Sequence, residues 1–266
     1  MSAMHNRYLV IDVGNTNIEI GIYTGKGYVC SWRFASDQAK TEDEYFSTLR
    51  TLAKEQNINL KEVTLCCLAS VVPELSRIFE HLFEKYLTAE MINITAYSDL
   101  GLKFPMKDPG FIGADLVVNA YSAWKKYRTN CIICDFGTAT TIQLVGADGS
   151  FQGTVIAPGV VISSSNLFQK ASLLTKIQLE TPQHILGTNT RDALLSGIIK
   201  GHCLMVDTFI AEIKKEYAHL GEIRVILTGG IANLIGKNLK EQTIIDKSLT
   251  IDGLYRICLK HNETHQ

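Results

Sequence analysis

Short apolar runs separated by polar or glycine-containing turns divide this chain into strands and amphipathic helices. Residues 8–12 read as a buried strand ending on a carboxylate, and residues 18–23 as the strand that returns after a polar turn. The alternation across 28–34 marks a third strand. A helix follows, with Thr41 as N-cap, Glu44 completing a capping box, and Tyr45, Leu49 and Leu52 on one face. Residues 63–69 read as a buried strand, 73–86 as a helix and 91–94 as another strand. From 99 to 111 the chain is irregular and holds Gly and Pro, and Gly113-Ala114-Asp115 then opens a helix to about 127. Strands recur at 131–135, 142–145, 151–156 and 224–227. Helices are expected after Pro158-Gly159 (with Leu167, Phe168 and Leu173), over 192–217 (with Leu195, Ile198, Ile199 and Met205), over 231–239 and over 254–259; the tail 261–266 reads as disordered. Three strands followed by strands alternating with helices predict a mixed α/β layered fold.

The pattern repeats itself. Asp12-Val13-Gly14-Asn15-Thr16-Asn17 lies between the first two strands, and Asp135-Phe136-Gly137-Thr138-Ala139-Thr140 lies between the corresponding strands 123 positions later. Glycine permits close backbone approach and positive φ, so that peptide N–H groups can line a concavity suited to an anion. Thr16, Thr138, Thr140, Asn15 and Asn17 add donors. A carboxylate beside a polyphosphate requires an intervening cation, so Asp12 and Asp135 imply metal ions. Read singly, each copy also fits an ordinary hairpin with Asp and Asn capping its turn; the paired occurrence favours phosphate handling. Asp115 has two readings as well, a first-turn helix cap or a general base with space cleared by Gly113 and Ala114. Thr228-Gly229-Gly230, between a strand and a helix, is a further place where a nucleotide can lie close.

Composition narrows the setting. With 266 residues there is length for two halves of similar size, and 46% hydrophobic with 20% charged residues is ordinary for a globular protein. A net charge of −1 leaves no general footprint for nucleic acid or an anionic membrane. Residues 1–7 are polar, no run reaches 18 unbroken apolar residues, and a cytoplasmic protein is expected. Seven cysteines, an odd number set mostly in apolar runs, fit reduced buried thiols, and Cys131-x-x-Cys134 within a strand reads as core rather than as half a zinc site. No Gly-x-x-x-x-Gly-Lys-Ser/Thr or Gly-x-Gly-x-x-Gly is present.

Two phosphate hairpins in a duplicated half resemble the architecture of actin-like ATPases and sugar kinases. That resemblance implies two related, ribonuclease H-like α/β lobes with mixed five-stranded sheets and a nucleotide cleft between them, divided here as 1–118 and 119–266. The order and spacing of the two hairpins, of Gly113-Ala114-Asp115, Pro158-Gly159, Asn189-Thr190 with Ser196-Gly197, and of Thr228-Gly229-Gly230 resemble type III pantothenate kinases over about residues 7–259. The resemblance implies ATP-dependent phosphorylation of the 4′-hydroxyl of pantothenate, by a cytoplasmic homodimer needing Mg2+ and a monovalent cation, K+ or NH4+. Carried over by motif, Asp12, Val13, Gly14, Asn15, Thr16, Asn17, Ile18, Glu19 and Thr138 would bind ATP. Asp12 would face magnesium through the phosphates and Asp135 would hold the monovalent cation. Asp115 would be the base, with Gly113, Ala114, Leu116 and Thr190 around the substrate.

Two positions depart from the family pattern: Leu116 stands where it has Arg, and Met106 where it tends to have Tyr. Those departures leave room for a kinase of another small hydroxyl compound, or for a nucleotide-binding regulator of the same family.

Overall fold

The computed structural model describes residues 6–170 and 177–264. They form two compact units. The first comprises the chain to Gly101, residues 106–122 and the segment from Leu249 onward; the second comprises residues 102–105 and 123–248. The C-terminal helix therefore belongs with the first unit, unlike a simple cut after residue 118.

In the first unit, β1 (Arg7–Val13), β2 (Asn17–Thr24) and β3 (Gly27–Ala35) form an antiparallel meander, and β4 (Val63–Ser70) and β5 (Glu90–Ile94) extend it in parallel from β1, giving the order β3-β2-β1-β4-β5. One face carries Leu9, Ile11, Ile18, Ile20 and Ile22 into a core with helices α1 (Glu42–Glu55) and α2 (Pro73–Tyr86). The capping box is present: the Thr41 side chain accepts from the Glu44 nitrogen, and the Glu44 carboxylate accepts from the Thr41 nitrogen at 2.9 Å. Tyr45, Leu49 and Ala53 bury the inner face of α1, whereas Leu52 is only half-buried. The other sheet face receives α8 (Leu249–Thr264), which packs on β1 and β4 and lies close to α3 (Ala114–Tyr127) at Gly253. Helix α8 starts five residues before the expected 254 and runs through His261, so 261–264 are helical rather than disordered. Residues 265 and 266 lie outside the described residues.

The second unit repeats the plan. β6 (Asn130–Phe136), β7 (Ala139–Val145) and β8 (Phe151–Pro158) form the meander, and β9 (Ile223–Thr228) and β10 (Thr243–Ile245) continue in parallel from β6, giving β10-β9-β6-β7-β8. Strands β1 and β6 even share one sequence of buried and half-buried positions. Ile132, Cys134, Phe136, Ile142 and Leu144 face Val160 of α4 (Val160–Lys170), Ile199, the α6 (Gly201–Glu216) residues Cys203, Val206 and Ile210, and Ala232 and Ile235 of α7 (Ala232–Gly236). The expected α4 residue Leu173 lies outside the described residues. The predicted helix over 192–217 begins at Thr190 and is broken: α5 (Thr190–Leu195), one π turn (Ser196–Lys200), then α6. By length and composition this run, Thr190–Glu216, could span a membrane. Its row of Leu195, Ile199, Cys203, Val206 and Ile210 instead lies buried, four of the five in the core of this unit. All seven cysteines are unbridged and six are buried, Cys131 and Cys134 included.

Candidate active site

The first unit positions one set of predicted residues at the C-terminal ends of β1 and β4. Asp12 precedes the last residue of β1 and pairs across the ladder with Glu19 of β2. The turn between them is closed by the Gly14 nitrogen donating to the Asn17 carbonyl at 3.0 Å, and Asn15 and Thr16 at its tip are exposed. Val13 and Ile18, fully buried, anchor it. Residue Ser36 braces the turn, donating from its nitrogen to the Thr16 carbonyl at 3.1 Å and from Oγ to the Gly14 carbonyl. Burial raises the Glu19 carboxyl, outweighing the opposing pull of Arg33 and of a hydrogen bond with Ser31.

The link to Asp115 runs through Val71, which sequence reasoning did not single out. Its nitrogen donates to the Val13 carbonyl at 3.0 Å, and its side chain lies against Gly113, where an added Cβ would stand 3.3 Å from Val71 Cγ1. That same Cβ would come 2.5 Å from Asp115 Oδ1, so the carboxylate occupies the space a side chain at 113 would take. Asp115 sits in the first turn of α3, and its Oδ1 accepts from the Leu116 nitrogen at 2.8 Å. Burial pushes the carboxyl up from its ordinary value despite backbone hydrogen bonds that pull the other way. A half-buried carboxyl with a raised pKa, set in the first turn of a helix, is compatible with a functional base as well as with a helix cap. Ala114 and Leu116 are buried, 6% and 4% exposed, so Leu116 contributes its backbone N–H to the Asp115 carboxylate.

The second unit holds the other set. Asp135 occupies the same position in β6 that Asp12 has in β1, but it pairs with Thr141, and the turn is shorter, with the Gly137 nitrogen donating to the Ala139 carbonyl at 3.1 Å. Neither Gly14 nor Gly137 adopts positive φ. The glycine conformation needed here lies elsewhere, at Gly229 after β9, with φ of +90°. A Cβ on Gly229 would stand 2.5 Å from Asp135 Oδ1 and 2.6 Å from the Phe136 nitrogen. Gly159 closes the other side: a Cβ there would fall 2.2 Å from the Thr138 carbonyl oxygen and 2.7 Å from that of Gly137. The Thr228-Gly229 and Pro158-Gly159 motifs therefore clamp the second hairpin. Thr190, exposed, opens α5 behind the Asn189 N-cap, whose side chain accepts from the Asp192 nitrogen at 2.9 Å. The structure describes Thr190 in the second unit and residues 113–116 in the first.

A groove of about 420 Å³ lies within the second unit between α4 and the α5–α6 run, with Gly197, Gly201, His202 and Met205 among its lining residues. None of Asp12, Asp115, Thr138 or Thr190 lines it. Among the described residues no three His, Cys, Asp or Glu side chains gather as a metal cluster. A cation at Asp12 or Asp135 would thus take its remaining oxygen ligands from phosphate, backbone or water, which suits Mg2+ and other hard cations.

This duplicated fold is that of the actin-like ATPases and sugar kinases. The second-unit clamp and the first-unit hairpin sit in a fold shared with a putative 2-dehydro-3-deoxygalactonokinase from Sinorhizobium meliloti (TM-score 0.59, 12% identity, 94% of this chain and 95% of that one). It is shared also with MreB 5 of Spiroplasma citri, solved with AMPPNP (TM-score 0.58, 12% identity, 98% and 99%). The family model for type III pantothenate kinase matches residues 8–212, and the type III pantothenate kinase of Geobacter sulfurreducens is 39% identical over 254 residues, 96% of this chain and 98% of that protein. The chain belongs to the type III pantothenate kinase family.

Proposed function

We propose that the chain transfers the γ-phosphoryl group of ATP to the 4′-hydroxyl of pantothenate, the step that commits pantothenate to coenzyme A synthesis. Family membership over nearly the whole length supports this reaction. The observation that carries the mechanism is the half-buried Asp115, whose carboxyl burial raises above its ordinary value, linked to the first hairpin through Val71.

Phosphoryl transfer is mostly positioning and charge neutralisation, with a carboxylate to orient the hydroxyl and accept its proton. Asp115 takes that part, and its raised basicity brings it nearer the pKa suited to a base at neutral pH. The segment from Asp12 to Glu19 offers backbone N–H groups and the Asn15, Thr16 and Asn17 side chains to ATP phosphates, with Thr138 doing so in the second hairpin. Magnesium, when bound, neutralises phosphate charge; Asp12 would face it, and Asp135 would hold K+ or NH4+. Gly113, Ala114 and Thr190 would border pantothenate, with Leu116 orienting the base through its N–H.

A homodimer is part of the same proposal. It is supported by exposed apolar residues on the second unit's helices, Val161, Ile162, Leu167 and Leu204. A cytoplasmic location accords with seven unbridged thiols. Leu116 in place of the family's Arg favours a second reading, phosphorylation of another small hydroxyl compound.

The test is ATP consumption by the purified protein with Mg2+ and K+, with and without pantothenate, beside Asp115→Asn. Pantothenate-dependent turnover lost in the variant supports the proposal. ATP binding without any pantothenate response transfers it to the second reading.

A further inference from the structure

Thr140 is the second residue of β7, 1% exposed, on the strand face that Ile142 and Leu144 turn into the apolar core. A buried hydroxyl in such a place needs a partner. It has one in His202, the second residue of α6, whose Nε2 lies 3.0 Å from Thr140 Oγ1. The same imidazole stands edge-on to the ring of Phe136, with centroids 6.2 Å apart and planes at 65°. Phe136 and Thr140 are cross-strand partners, the last pair before the turn through Gly137 and Thr138. His202 therefore grips both feet of the second hairpin from beneath, while Gly159 and Gly229 confine it from the sides. It does so just after the π turn Ser196–Lys200, a departure from regular helix often associated with functional sites.

We infer that His202 is a positioning residue for ATP, setting the height and tilt of the second phosphate hairpin through Thr140 and Phe136. This rests on the proposed reading of that hairpin as a phosphate binder. The ATP side of the reaction is the one that depends on it, since the pantothenate side rests mainly on Gly113, Ala114 and Asp115 in the other unit, with Thr190 the one second-unit residue proposed there.

The test uses the full chain and four variants: His202→Leu and Thr140→Val, which keep volume but remove the hydrogen bond, and His202→Gln and Thr140→Ser, which keep it. Steady-state kinetics, melting temperature and calorimetric MgATP binding are measured for each. His202→Leu and Thr140→Val should each raise the KM for ATP about tenfold, the size of one lost buried hydrogen bond. KM for pantothenate should stay unchanged, and the double variant should be no worse than either single. The Gln and Ser variants should recover the wild-type KM. An unchanged KM for ATP in both apolar variants overturns the inference. So do equal losses for both substrates that track a lowered melting temperature and are not recovered by Gln. Failure of the unaltered protein to bind MgATP instead overturns the reading of the hairpin, and this inference with it.

Discussion

A methyl group on Gly159 would stand 2.2 Å from the carbonyl oxygen of Thr138, closer than any non-bonded contact allows. The clash is with backbone on both sides, so no side-chain rotation relieves it. Gly159→Ala must displace either the hairpin turn or the start of α4. A shift of that size at the proposed phosphate-binding loop is expected to lower kcat/KM for ATP by about a hundredfold. Steady-state kinetics checks this, with far-UV circular dichroism to establish that the fold is retained.

Asp115→Asn should lower kcat by about 10² to 10⁴-fold while ATP still binds. Because burial raises the folded-state carboxyl, the acid limb of kcat in the unaltered enzyme should lie above the range of an ordinary aspartate, with the rate falling as pH drops through it. Stability runs the opposite way. Charged Asp115 is less favourable in the folded than in the unfolded chain, so it costs stability at neutral pH and ceases to do so once the pH is below the unfolded value. The Asp115→Asn variant should therefore melt higher than the unaltered protein near pH 7, and the difference should vanish in acid. Thermal melts across pH decide it.

Gly113→Ala tests the space under that carboxylate. The new Cβ would fall 2.5 Å from Asp115 Oδ1, forcing the proposed base to rotate. Turnover should drop with KM for ATP unchanged, whereas a rise in KM for ATP alone would contradict the placement of the base.

Asp246 is an anchor within the second unit. It is 7% exposed and accepts from Lys126 Nζ at 2.7 Å and Tyr127 Oη at 2.8 Å at the end of α3. Asp246→Ala leaves the lysine half-buried without this partner and should cost about 3 kcal/mol. Asn retains acceptor capacity and should cost less. Urea unfolding of a Trp32→Phe background, in which Trp124 is the one remaining tryptophan, monitored by fluorescence, provides the measurement.

Ile162→Glu and Leu204→Glu place charge on exposed apolar positions of α4 and α6. If these faces meet in the proposed homodimer, sedimentation velocity should show monomer, with the melting temperature of each unit little changed. A dimer that persists in both variants would place the interface elsewhere.

Legibility in the sequence followed the range of the forces involved. The α1 cap was readable because Thr41 and Glu44 are neighbours on one helical turn, and α2 because Pro73 and the apolar spacing of Leu75, Phe79 and Leu82 are local signals. β10 was not readable. It has three residues, none buried, and it becomes a strand only by pairing in parallel with β9. The early start of α8 and its continuation past His261 were missed for a related reason. Leu249 and Ile251 are buried by the packing of α8 rather than by any strong helical periodicity at its start. The π turn likewise has no sequence signature, since Ser196 and Gly197 look like ordinary helix positions.

The amino-acid sequence by itself determined the two strand–turn–strand hairpins, the carboxylate at the end of each leading strand, and Gly113-Ala114-Asp115 at the head of a helix, because these depend on residues adjacent along the chain. Tertiary structure decided what those residues can do. Val71 beside Gly113, Gly159 and Gly229 against the second hairpin, and His202 beneath Thr140 all join positions distant in sequence. Burial of Asp115, the source of its basicity, is likewise a sum over packed neighbours that no local pattern encodes.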